Sequence, residues 1–209
     1  MWCGECTLLA KICSKLFGTR FYCWVLGGDA RPSNQFIKWI RPKAGELIAM
    51  SDFLVEQFYN SHGIKPAHII TNAVEPAMYQ PMPAERTIDI MGAGGFSFLK
   101  RYEIFVEVLA ELKKYIPHIK AVLCGSGEET VDIINGMIRA LALEKNIVMP
   151  GFVKHKEVIE KMRHTKIFLH PSSYEGFSSV CLEAIYAGAH VISFIKPMHD
   201  DIKNWHIVQ

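Results

Sequence analysis

From Thr87 to Phe194 short apolar runs alternate with longer amphipathic stretches, and this alternation limits the fold more than any other feature. The runs cover 88–92, 119–124, 147–149, 167–170 and 190–194. Each has strand length and is bounded by turn residues. Between them, 101–115, 129–143, 156–163 and 178–187 read as helices. Five strands joined by four crossover helices imply a parallel sheet with right-handed crossovers. In such sheets ligands bind at the carboxyl ends of the strands. The loops there are 92–100, 125–128, 150–155 and 171–177, and every glycine-rich loop of this half is among them.

The first 70 residues repeat the alternation less regularly. Helices are expected over 7–17, 35–40 and 53–61, the last capped by Asp52, and strands over 21–26, 46–50 and 67–71. This half opens on a helix, whereas a complete doubly wound domain opens on a strand. Residues 72–84 contain Pro76, Pro81 and Pro83 and little periodicity, and read as a linker. The chain is therefore α/β, with a partial first domain over 1–80 and a second domain over 85–209.

The richest stretch runs from His170 to Gly188. Pro171, Ser172 and Ser173 end a strand, Gly176 keeps the loop tight, and Ser178 or Ser179 can cap the next helix. Gly188 ends that helix. Glu183 is the only formal charge between Gly176 and Gly188, on a helix that is otherwise apolar. A carboxylate there needs hydrogen-bond partners. Taken alone, Glu183 fits a structural ion pair with Lys or Arg as well as it fits an acceptor for the hydroxyls of a bound polyol. Glu175 favours the second reading, because it precedes the helix N-terminus, where free N–H groups attract phosphates.

The sequence Glu175-Gly-Phe-x4-Leu-Glu183-Ala-x2-Ala-Gly188 resembles the E-x7-E signature of the retaining glycosyltransferases of family 4, which have the GT-B fold of two Rossmann-like domains. The resemblance runs over residues 20–209 and is dense from 87 onward. It implies a GT-B-like fold, its first domain incomplete, and transfer of a sugar with retention from a nucleotide diphosphate sugar to an acceptor hydroxyl. It implies no cofactor and no bound metal. Glu175 would contact the donor sugar, with Gly176, Phe177 and Ser178 beside it, and Glu183 would bind the ribose. Lys100 matches the lysine that holds the diphosphate, so Glu175 and Lys100 are the candidate catalytic residues. Gly94 and Gly95 belong to the same loop, where Gly95 replaces the family's usual arginine. Gly125 and Gly127 match its Gly-x-Gly loop near the nucleotide, although glycines there also suit a simple turn into a helix. Phe152 falls where the family sets residues against the base, with backbone groups doing most of the work. Leu26 stands where the family often has histidine, so no role for that histidine carries over. Asp29 and Arg31 remain as cleft candidates, although a turn aspartate is usually structural.

Composition narrows the alternatives. A net charge of +2 gives no electrostatic case for nucleic acid. No run of about 18 apolar residues spans a membrane, which leaves room only for peripheral contact, and a cytoplasmic setting is expected. The six cysteines are not spaced as a disulfide framework, so Cys3 and Cys6 are expected to be plain thiols. The resemblance lacks the first strands and the final helices of its family, so the chain is expected to be part of a longer product that binds donor but transfers sugar poorly alone. The rival readings are a non-catalytic nucleotide-sugar-binding remnant and a GT-B sugar-nucleotide epimerase, against which the intact E-x7-E speaks.

Overall fold

A computed structural model describes residues 2–79 and 85–208. The 80–84 part of the expected linker lies outside the described residues. Two compact units emerge. One comprises 1–72 with 175–178 and 196–200; the other comprises 73–174, 179–195 and 201–209.

In the first unit the elements alternate as expected: α1 (Glu5–Phe17), β1 (Cys23–Val25), α2 (Phe36–Ile40), β2 (Leu47–Ala49), α3 (Asp52–His62) and β3 (His68–Ile69). The three strands form a parallel sheet in the order β1-β2-β3. Leu54, Val55 and Phe58 of α3 are buried. The cap of α3 is Ser51 rather than Asp52: the Ser51 hydroxyl accepts from Leu54 N–H, and Asp52 is the first helical residue. Cys3 and Cys23 are joined by a disulfide, against the expectation of plain thiols, whereas Cys6 is a free, exposed thiol. Sequence spacing gives no sign of this pair, because the approach of the two residues is made by the fold.

The second unit contains β4 (Ile88–Ala93), α4 (Tyr102–Lys113), β5 (Ala121–Cys124), α5 (Val131–Ala140), β6 (Ile147–Gly151), α6 (His155–Arg163), β7 (Thr165–His170), α7 (Ser179–Tyr186), β8 (His190–Ser193) and β9 (Trp205–Ile207). Its sheet has six parallel strands, not five, in the order β6-β5-β4-β7-β8-β9. The sixth, β9, has three residues and follows β8 without a crossover helix, so neither length nor alternation marks it in the sequence. The indole N–H of Trp205 donates to the Ser193 hydroxyl at 2.7 Å and ties the added strand to β8.

The order reverses between β4 and β7, which places the topological switch point beside those two strands. Tyr102, Phe105, Val106 and Leu109 form one helical stripe of α4 and are fully buried, packed with Leu123, Ile134 and Leu143. Leu143 lies beyond α5, not inside it. Ala142 takes a left-handed conformation (φ 53°) and Leu143 N–H returns to the Ile138 carbonyl at 2.9 Å. That turn keeps an apolar residue in the core after the helix has ended, which is why the periodicity overruns it.

Candidate functional site

A pocket of about 310 Å³ opens at the carboxyl ends of β4, β5 and β6. Gly94 and Gly95, then Gly125 and Ser126, then Phe152 and Val153 line it, with Val158 of α6. The two glycine loops touch. Gly94 N–H donates to the Cys124 carbonyl at 3.0 Å, Phe96 N–H to that of Ser126 at 2.9 Å, and Gly125 N–H to that of Gly151 at 3.0 Å. Gly125 and Gly127 have φ of 149° and 153°, and a Cβ on Gly127 would lie 2.7 Å from the Phe96 carbonyl oxygen. Loop-to-loop packing therefore demands these glycines, whatever the pocket holds.

Lys100 lies before α4, with its N–H bonded to the Ser97 carbonyl at 2.9 Å. Its Cε lies 3.7 Å from where a Cβ of Gly94 would sit, so the side chain passes alongside Gly94, one of the residues that line the pocket. Arg101 is not the first residue of that helix. It takes φ 51° at the cap, and its guanidinium lies 5.7 Å from the centre of the Phe194 ring. The Leu99 carbonyl accepts from Ser173 N–H at 2.9 Å and from the Ser172 hydroxyl at 3.2 Å, which binds the loops after β4 and β7 to each other at the switch point.

Glu183 stands on α7 with its side chain only 18% exposed. Its partner is neither Lys nor Arg: His155 Nε2 lies 2.8 Å from Glu183 Oε1. The helix ends as expected at Gly188 (φ 83°), where Gly188 N–H bonds the Ile185 carbonyl at 2.8 Å and Ala189 N–H bonds that of Ala184 at 2.9 Å. Sequence reasoning misses His155. The one signal that could find it is its place in the loop 150–155, which the topology assigns to the ligand side of the sheet.

Residues 175–178 pack with the first unit. The Gly176 carbonyl accepts from the Ser51 hydroxyl, and the Phe177 carbonyl from Asn72 Nδ2 at 3.1 Å. A Cβ on Gly176 would meet Leu54 Cδ1 at 2.9 Å. Phe177 and Ser178 are buried, and Glu175 is half-buried. In the same unit Asp29 accepts from Leu26 N–H at 2.9 Å and from Asn34 Nδ2 at 3.2 Å, so both its oxygens brace the turn. Burial, only partly offset by hydrogen bonding, raises its carboxyl above the ordinary value.

Residues 82–204, more than half of the chain, match the family model described as glycosyl transferases group 1. The chain belongs to this glycosyltransferase family. The gpi3 subunit of phosphatidylinositol N-acetylglucosaminyltransferase from Schizosaccharomyces pombe is 26% identical over 166 residues, covering 77% of this chain and 36% of that protein. The 2-deoxystreptamine N-acetyl-D-glucosaminyltransferase of Niallia circulans is 31% identical over 104 residues, covering 50% of this chain and 26% of that protein. This glycosyltransferase chain thus matches only about a third, or less, of the length of these relatives. Among solved structures, a TarM mutant of S. aureus in complex with fondaparinux, alpha-GlcNAc-glycerol and UDP superposes with a TM-score of 0.72 at 20% identity, over 90% of this chain and 41% of that one. Anabaena HepE in complex with UDP and glucose gives 0.72 at 20% identity, over 90% and 56%. The fold is GT-B-like, α/β with parallel sheets. Among the described residues, no helix is long and apolar enough to cross a membrane.

Proposed function

We propose that this glycosyltransferase chain binds a nucleoside diphosphate sugar, UDP-GlcNAc, and serves transfer of that sugar to an acceptor hydroxyl with retention. The observation that carries the reading is the pocket at the carboxyl ends of β4, β5 and β6, lined by Gly94 with Lys100 beside it and by the exposed Phe152. Its volume is at the lower end of the range for small-molecule sites. The choice of donor is supported by the N-acetylglucosaminyltransferase relatives and by the UDP held in the neighbouring structures.

In this reading Lys100 faces the diphosphate. The N–H groups of Gly94, Phe96 and Gly125 are already committed to carbonyls, so the lysine carries a larger share of the charge stabilisation than the glycine count suggests. Gly95 and Gly127 keep the same loops slim, Phe152 faces the base, and Glu183 accepts from the ribose hydroxyls. Glu175 contacts the sugar, with Gly176, Phe177 and Ser178 holding its loop. The bond from the anomeric carbon to the diphosphate oxygen breaks while the bond to the acceptor oxygen forms on the same face. The acceptor proton passes to the leaving diphosphate. The resemblance implies no metal in this step.

Calorimetric titration of UDP and UDP-GlcNAc into the 209-residue chain tests the reading. Saturable binding is expected, weakened in Lys100→Ala and Glu183→Ala by roughly 1.5–3 kcal/mol each, the contribution of a charge-assisted hydrogen bond. Unchanged affinity in both variants refutes the ligand assignments. An inverted anomeric centre in the transfer product, read by proton NMR, refutes retention.

A further inference from the structure

Among the described residues, His155 and Tyr79 lie near Glu183 from outside its own helix. His155, at the start of α6, holds one carboxylate oxygen at 2.8 Å. Tyr79 follows the short helical turn Pro76–Met78 and packs edge-on against Tyr186, with ring centroids 4.7 Å apart. Tyr186 comes three residues after Glu183 on α7 and so shares its face. The Tyr79 hydroxyl is buried and has no hydrogen-bond partner among the described residues. Burial first, then the charge of Glu183, then Tyr186, push this phenol up to about 12. It keeps its proton at any working pH and is a donor without an acceptor, an arrangement that buried hydroxyls rarely tolerate.

We infer that His155 and Tyr79 are positioning residues for Glu183: His155 fixes one carboxylate oxygen, and the Tyr79 hydroxyl donates to the other when nucleotide is bound. The inference rests on the reading of Glu183 as the acceptor for the ribose hydroxyls. A carboxylate free to turn offers a diol many poor geometries. One held by an imidazole and a phenol offers a single geometry, at little entropic cost on binding. Both positioning groups come from segments that α7 reaches only through the fold, Tyr79 from before β4 and His155 from the start of α6.

The readout is the preference of the chain for UDP over 2′,3′-dideoxy-UDP, because only the diol engages Glu183. The variants are Tyr79→Phe, which retains the ring packed on Tyr186, and His155→Ala, at an exposed side chain. Both should fold, and thermal unfolding checks this. Each is expected to lower the preference about tenfold, the size of one lost charge-assisted bond, while the dideoxy nucleotide binds as before. His155→Gln, which retains a donor, should recover part of the loss that His155→Ala causes. If wild type prefers the diol and both variants retain the full preference, the inference is overturned, and one silent variant removes that residue from the pair. If wild type binds neither nucleotide, or both equally, the reading of Glu183 itself falls and the inference falls with it.

Discussion

A Cβ on Gly125 would lie 1.8 Å from the carbonyl oxygen of Gly94. The loops after β4 and β5 are therefore in backbone contact, and the floor of the pocket depends on two residues without side chains. Gly95, next to Gly94 in the same loop, is under no such constraint. Its φ is not positive, and the atom nearest to an added Cβ is the Ser126 carbonyl oxygen, at 3.8 Å.

Gly125→Ala is accordingly expected to destabilise the chain by about 2–3 kcal/mol or more, since the strained conformation and the backbone clash add. Gly95→Ala should stay within about 0.5 kcal/mol of wild type. Urea denaturation of the two variants compares them directly, and equal midpoints would mean that the loops do not touch as described.

Ser51 holds two things at once. Its hydroxyl oxygen accepts from Leu54 N–H at 3.1 Å and caps α3, while its proton goes to the Gly176 carbonyl. Ser51→Ala should cost about 1–2 kcal/mol, the upper part of the range for a lost N-cap, because the buried Gly176 carbonyl loses its donor as well. Ser51→Thr retains the hydroxyl and should recover most of this. A Ser51→Ala variant as stable as wild type would show that water replaces both bonds.

Asp89 gives a pH dependence with a defined sign. Burial raises its carboxyl, but the hydrogen bond from Lys166 at 2.8 Å, the Lys120 N–H at 2.9 Å and the charges of the two lysines outweigh it, and the net shift is downward. A carboxyl lowered in the folded state stabilises above its unfolded value of about 3.9 and loses that contribution as pH falls through the folded value. Lys166 is largely in water, so solvent screens the pair. Asp89→Asn should therefore cost only about 0.5–1 kcal/mol at pH 7, and the difference should fade as pH falls through the lowered folded-state value. A gap between the two proteins that stays constant with pH would rule out the charge as its source.

Much of this is legible in the sequence because the second unit obeys simple periodicities. Tyr102, Phe105, Val106 and Leu109 recur as a buried helical stripe must, and the strands of its sheet up to β8 are apolar runs of ordinary length. What escapes is what depends on contacts between distant segments. Trp205 joins the sheet through Ser193, Cys3 meets Cys23, and His155 meets Glu183 across 28 positions. No local pattern encodes such pairs. In the sequence the glycines of the β4 and β5 loops look like marks of a ligand, yet the backbone contacts of Gly125 and Gly127 alone would require them.

Phe152 supplies the last prediction. It is 81% exposed although it lines the pocket, and an aromatic side chain left in water at a pocket rim contributes little to folding. The family resemblance implies that backbone groups at this position face the base. The exposed ring offers a stacking surface in addition, and stacking on an aromatic side chain is worth about 1–3 kcal/mol per base. Phe152→Ala should therefore weaken UDP binding by about that amount and leave both stability and the binding of inorganic pyrophosphate unchanged, because pyrophosphate has no base to stack. Phe152→Trp should bind UDP at least as well as wild type. Calorimetry with the two ligands separates the contributions: an equal loss for UDP and pyrophosphate would place Phe152 at the diphosphate or in the scaffold, and no loss for either would return base recognition to the backbone.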